Sequence, residues 1–279
     1  MSRGELLEEL VDDAGLFPPT ALDMPAAIER HRRDQQAGEP MLTHRFLCPA
    51  GRIEQMRAQL VDSDHIAVGL ITDHGAEGLD EVLAVIEADP RLSLALLEIP
   101  LAKFGSSATA ALRALDDVPT SVPAFLEPSA ASGVDELLEA LSTADGQRRI
   151  GAKLRCGGVR AELFPSSTEV AHFITACVAA GLPLKATAGL HQAVRHQDPE
   201  TGFVHHGYLN LLLAAARAGE GTGAAEVRQV LETEDPGELA QRIGELDRDV
   251  AVRARSVLVS YGSCSTSTPP AQAREILGR

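Results

Sequence analysis

The chain reads as a (β/α)8 TIM-type barrel in a single domain over residues 1–279, with an N-terminal helix and an extra helical segment before the last strand. Short apolar runs alternate with amphipathic helical stretches eight times. Most inner units have the roughly 25–30 residues that a strand–helix repeat needs. The runs are apolar almost throughout, as parallel strands covered on both faces must be. No run leads into a G-x-G-x-x-G turn, so an open dinucleotide-binding sheet lacks its main support. Eight units in 279 residues, close to the roughly 250 typical of such a barrel, point instead to closure.

Each element has a local reason. Ser2 and Glu5 have capping-box spacing and open a helix across Leu6 to Leu10. Asp12 to Phe17 is a short strand stopped by Pro18-Pro19, and the helix Met24 to Asp34 separates apolar from charged residues. The second strand, Thr43 to Cys48, ends at Pro49 and leads to a helix from Ile53 to about Val61. The third, His65 to Thr72, runs into Asp73-His74-Gly75 before a helix from Leu79 to Glu87. Strand four, Leu92 to Ile99, stops at Pro100 and precedes the alanine-rich helix Ser107 to Leu115. Strand five, Val122 to Leu126, closes at Glu127-Pro128 before the helix Val134 to Leu141. Strand six, Ile150 to Cys156, closes at Gly157-Gly158, and Ser166 with Glu169 starts its helix as a second capping box. Strand seven spans Pro183 to Leu190 and leads to His191. A mostly helical stretch covers Tyr208 to about Leu246, the eighth strand is Ser256 to Ser260, and a final helix spans Ala271 to Leu277.

Composition narrows the function classes. The net charge of −15 opposes nucleic acid or an anionic membrane surface as partner, because phosphates are repelled. A few arginines focused in a cleft still suit a small anionic metabolite. Acidic residues near the N-terminus replace the apolar core of a signal peptide, and no apolar run is long enough to span a bilayer. Cys48, Cys156, Cys177 and Cys264 form no C-x-x-C pair, which favours reduced thiols in a cytoplasmic protein. A homo-oligomer is compatible with the sequence.

The barrel reading gathers residues at the carboxyl ends of the strands into one pocket. Those ends carry Asp12 or Asp13, Cys48, Asp73 with His74, Glu98, Glu127, Lys153 with Arg155, Lys185 with Thr187 and His191, and Tyr261 to Ser265. Only three lysines occur, against 22 arginines, and Lys153 and Lys185 both sit in apolar runs. Lysine can lose its proton when desolvated and attack a carbonyl, whereas arginine stays charged. Two ammonium groups on adjacent strands disfavour each other, so one lysine is expected to have its pKa pulled toward roughly 7–8. Arg155 is the expected clamp on a carboxylate or phosphate. Gly262, Ser263 and Ser265 supply backbone N–H groups and hydroxyls, with Gly157-Gly158, Arg160 and Arg195 nearby in the neighbouring loops. His205 and His206 read as capping or surface residues, Cys264 as a small buried thiol, and Lys103 as exposed.

Two segments carry a resemblance. Leu184-Lys185-Ala-Thr-Ala-Gly-Leu190 resembles the K-T-S-T-G segment that holds the Schiff-base lysine of deoxyribose-phosphate aldolases. Lys153-Leu-Arg-Cys-Gly-Gly-Val-Arg160 is similar to those enzymes' second-lysine segment, although the two occur here in reverse order. The resemblance implies paired lysines on adjacent strands of a (β/α)8 barrel. More broadly, Ala14-Gly-Leu-Phe-Pro-Pro19, both lysine segments and Tyr261-Gly-Ser-Cys-Ser265 together resemble a bacterial barrel family whose members are uncharacterised.

The expected activity is a lyase of aldolase type acting on a small anionic carbonyl metabolite. Lys185 is the preferred imine-forming residue, Lys153 its tuning cation or alternative nucleophile, and Glu127 or Glu98 the proton shuttle. Arg155, Thr187, His191, Gly262, Ser263 and Ser265 bind the anion, and no cofactor is called for. A second expectation places Mg²⁺ or Mn²⁺ on Asp73, Glu98 and Glu127 to stabilise an enolate. A third is a non-catalytic barrel that binds a metabolite or a partner protein.

Overall fold

A computed structural model describes residues 2–116, 118–142 and 148–278. Eight parallel strands close into a barrel, each pairing with its neighbours in space. They are β1 (Val11–Asp13), β2 (Leu42–Pro49), β3 (Ile66–Ile71), β4 (Leu92–Pro100), β5 (Ala124–Glu127), β6 (Ile150–Arg155), β7 (Leu184–Thr187) and, after a small hairpin, β10 (Leu258–Ser263). The hairpin pairs β8 (His196–Gln197) with β9 (Val204–His205) antiparallel in the loop that follows β7. Closure is made where β1 pairs with both β2 and β10.

The helices α1 (Ser2–Leu7), α2 (Met24–Ala37), α3 (Ile53–Arg57), α4 (Leu79–Ala88), α5 (Ala108–Arg113), α6 (Val134–Ser142) and α7 (Ser167–Ala179) follow the expected order. The Ser2 side chain of the first expected capping box lies outside what is described. The second box is present, with Ser166 accepting from the Glu169 N–H and Glu169 accepting from Ser166. Asp23 caps α2 by accepting from Ala26 N–H, and Gly38 ends it in the left-handed conformation. Lys103 is exposed on a single 3₁₀ turn, Leu101–Phe104, as expected.

The last third departs from the expected layout. Between the hairpin and β10 lie α8 (Tyr208–Gly219), α9 (Ala224–Glu232), α10 (Pro236–Gly244) and α11 (Arg248–Val257), and α12 (Thr268–Leu277) ends the fold. Asp247 caps α11 by accepting from Val250 N–H, and Val250, Ala251 and Ala254 form its buried face. This helix occupies the start of the expected eighth strand, which therefore begins at Leu258. Helix α8 is buried on nearly every side, and its Tyr208 ring stacks on Tyr261 of β10 with centroids 5.4 Å apart. Its hydroxyl donates to Pro269 O at 2.8 Å.

Inside the barrel, small and large residues interlock. A Cβ at Gly151 would lie 2.7 Å from the Phe125 ring and 2.5 Å from Pro183 O, so only glycine fits there. The Phe125 ring in turn lies under the Lys185 ammonium, 5.8 Å from its centroid, a cation–π distance. Among the described residues, no helix is long and apolar enough to cross a membrane.

Candidate active site

A cavity of about 660 Å³ opens at the carboxyl ends of the strands. Glu98, Glu127, Lys153 and Arg155 form its polar floor, joined by Thr187, His191, Gly262 and Cys264. Each floor residue comes from a different strand end or from one strand's alternate positions, which is how a barrel converges groups distant in sequence.

Seven charged side chains form one alternating series through the barrel. Arg45 Nε donates to Asp12 at 2.8 Å, and Asp12 also takes the Lys185 ammonium. Lys185 then faces Glu98 at 3.3 Å. Glu98 holds Lys153 at 2.6 Å, Lys153 holds Glu127 at 2.8 Å, and Glu127 accepts from Arg155 Nε at 2.7 Å. The series begins and ends on a cation. Four cations against three carboxylates leave one positive charge in excess, and the terminal Arg155 is 40 % exposed at the cavity.

This pairing corrects the expected lysine chemistry. Burial favours the neutral amine of Lys153, but Glu127 and Glu98 outweigh burial and hold its pKa above the ordinary value. Adjacent lysines alone would lower the pKa, but in the structure two carboxylates stand around Lys153 and reverse the sign. Glu127 shows the complement: burial raises it, yet Lys153 and Arg155 bring it below the usual range. Asp12 is likewise lowered, because Arg45 and Lys185 overcome its burial.

The two lysines are aligned in register, Lys153 opposite Lys185, and both point into the barrel. Their access differs. Lys153 reaches the cavity, whereas Lys185 is 0 % exposed and does not line it. Its amine donates to Asp12 and, at 3.0 Å, to Ser260 Oγ. Of the two lysines it is Lys153 that faces the cavity, whereas the sequence points first to Lys185.

The expected metal triad is not assembled. Asp73 accepts from Gly51 N–H at 3.2 Å, lies 3.7 Å from His74, and does not line the cavity. Glu98 and Glu127 converge instead around the Lys153 ammonium. Among the described residues, no three of His, Cys, Asp and Glu are grouped to hold a metal ion.

The expected anion cradle divides. Arg155, Thr187, His191 and Gly262 line the cavity, but Ser263 and Ser265 do not. Ser263 Oγ donates to Ser265 O at 2.7 Å, and Ser265 Oγ accepts from Thr268 N–H at 3.1 Å at the start of α12. Those hydroxyls serve the helix start. Arg195 donates to Ser167 Oγ and meets Glu234, away from the cavity floor. Gly157 packs on Gly189, whose φ is +70° and whose added Cβ would lie 2.9 Å from Cys156 O. Glycine at 189 is thus required by the close approach of the loops after β6 and β7.

A thiol–imidazole pair also lines the cavity. Cys264 Sγ lies 3.3 Å from His191 Nδ1, and Arg30 donates to Cys264 O at 2.7 Å. Burial pushes the Cys264 thiol up, but hydrogen bonds from His191 and Thr20 outweigh it and bring the pKa to about 7. Burial instead raises Cys48 and Cys177 to about 12. The two residues stand 73 positions apart, but each follows one of two neighbouring strands, β7 and β10. That adjacency was the signal in the sequence. His205 and His206 are also repositioned: His205 lines the cavity and His206 is buried, with Nε2 2.8 Å from Pro165 O.

Comparison of the chain with protein-family models, with curated proteins and with solved structures gave no match.

Proposed function

We propose that the barrel mouth is a Schiff-base lyase site of aldolase type, acting on a small anionic carbonyl compound through Lys153. The observation that carries this reading is one buried amine at the cavity floor, set between carboxylates at 2.6 and 2.8 Å. At rest the pair is ionised. A ligand that displaces water from the cavity disfavours both charges, so the proton passes from Lys153 to Glu127. The neutral amine then adds to the carbonyl carbon, and Glu127 returns the proton to the developing alkoxide. Loss of water leaves an iminium. In a ligand with a hydroxyl on the carbon β to the iminium carbon, cleavage of the Cα–Cβ bond sends its electron pair into the iminium, giving an enamine. The departing hydroxyl gives its proton to a floor carboxylate and leaves as a carbonyl. Protonation and hydrolysis of the enamine restore Lys153.

Arg155 suits the charged end of the ligand, because Glu127 uses its Nε while the guanidinium stands at the cavity. Beneath the floor, Lys185 acts as the counter-ion that fixes Asp12 and the floor residue Glu98.

Borohydride reduction in the presence of pyruvate and related 2-oxo acids, followed by peptide mass mapping, tests this reading. The expected result is a reduced adduct on Lys153 that is lost in Lys153→Met. Binding of a carbonyl anion with no adduct on Lys153 would make the cavity a binding site only and overturn the proposal.

A further inference from the structure

The cavity is larger and more apolar than a small anionic head requires. Its volume, about 660 Å³, falls in the range of roughly 300–1,000 Å³ that holds drug-sized ligands. The chain has only seven phenylalanines and no tryptophan, yet Phe17, Phe164 and Phe203 all line this one mouth, each half-buried. Aromatic side chains are scarce here, so three of seven at one opening need a local cause.

The geometry gives one. Phe164, after β6, meets Phe203 on the hairpin loop with centroids 5.1 Å apart, and meets the His205 ring at 4.7 Å. His205 stacks on His196 at 5.1 Å across the two hairpin strands. The hairpin thus holds an aromatic ledge over one side of the cavity. Phe17, beside Pro18 and Pro19, forms the other side. Val159, also at the mouth, is 78 % exposed. An apolar rim of this kind marks a binding surface. Asp198 of the hairpin loop, which lines the cavity, accepts from the N–H groups of Glu200 and Thr201 at 3.0 and 2.7 Å and from the Thr201 hydroxyl. That carboxylate is committed to its own turn.

We infer that the ligand is amphipathic: a carbonyl anion whose head meets Lys153 and Arg155 and whose tail is an apolar or aromatic group held between Phe17 and the Phe164–Phe203 ledge. The head rests on the reading proposed above; the tail rests on the walls alone.

Isothermal titration with pyruvate and with phenylpyruvate tests the tail directly. Burying one phenyl group should tighten phenylpyruvate binding roughly 10–100-fold over pyruvate. That preference should persist in Lys153→Met and shrink below about threefold in Phe203→Ala, with Phe17→Ala as a second variant from the opposite wall. Circular dichroism verifies that each variant is folded. Equal affinity for the two acids, no binding of either, or a preference unchanged in both phenylalanine variants would overturn the inference. Borohydride trapping separates the two claims. A phenyl preference without any adduct refutes the imine and leaves the tail assignment standing. Adducts from pyruvate formed as readily as from phenylpyruvate, with equal affinity, do the reverse.

Discussion

Replacing Lys185 with methionine removes one interior cation from the alternating series while leaving a side chain of similar length. The packing term is therefore small, and the cost is electrostatic. Lys185 contacts Asp12, Ser260 Oγ at 3.0 Å, Glu98 at 3.3 Å and the Phe125 ring at 5.8 Å. Removing one partner of a buried pair costs about 3–5 kcal/mol. Both abandoned carboxylates keep a cation here: Asp12 keeps Arg45 at 2.8 Å and Glu98 keeps Lys153 at 2.6 Å. Asp12 also retains the hydroxyls of Thr43 and Ser260 at 2.6 and 2.8 Å. The loss should fall at the low end, about 3 kcal/mol, or a decrease in Tm of roughly 6–12 °C. Urea unfolding followed by circular dichroism measures it. The pH dependence has a definite sign. Asp12 is depressed in the folded protein, partly by Lys185, so the stability it confers is complete above its unfolded pKa of about 4 and is lost as pH falls through the folded value. The gap between wild type and Lys185→Met should be constant from neutral pH to about 4 and narrow below that. A loss under about 1 kcal/mol, or a gap that stays flat into acid, would refute the role of Lys185 as a buried counter-ion. An imine on Lys185 in the wild type would refute the exchange of roles between the lysines.

Two further outcomes follow from the geometry of the mouth. Limiting iodoacetamide should label Cys264 first, at a rate that rises with pH around a midpoint of about 7 because the thiolate reacts; His191→Ala should move that midpoint upward toward about 8.5. Labelling spread over all four cysteines would contradict the Cys264–His191 pair. Gly189→Ala forces a Cβ to 2.9 Å from Cys156 O at a φ of +70°, whereas Gly38→Ala has a φ of +61° with nothing within 4 Å. The first should cost more than the second in Tm, each being of order 1–3 kcal/mol in backbone strain alone; equal losses would show that the two loops do not need their close approach.

Much of the fold was legible because near-continuous apolar runs ending in Pro, Gly or charge mark buried parallel strands whatever surrounds them. The eighth strand was misplaced because Val-Arg-Ala-Arg-Ser-Val-Leu-Val fits both periods locally. The buried Val250, Ala251 and Ala254, with Asp247 as cap, settle it as a helix up to Val257. At the site, the convergence of Glu98, Glu127, Lys153 and Arg155 was readable from strand ends. The access of each lysine was not. Lys153 and Lys185 share one register level, and what separates them is the partner each finds across the barrel: Glu127 at the mouth for one, Asp12 and Ser260 deep inside for the other. The sign of the Lys153 shift depends on distances of 2.6 and 2.8 Å that no spacing rule supplies.

The placing of Arg155 at the mouth of an acidic protein has a kinetic consequence. An anion approaching this protein first meets the field of a chain with net charge −15, and only at the mouth the half-exposed guanidinium of Arg155. Added salt screens charges separated by more than about 10 Å at 0.1 M, and screens buried ones far less. Salt therefore lifts the distant repulsion sooner than it weakens the attraction at Arg155. For an anionic ligand of this cavity, the association rate rises with ionic strength over the dilute range, opposite to the usual fall for an electrostatically guided encounter.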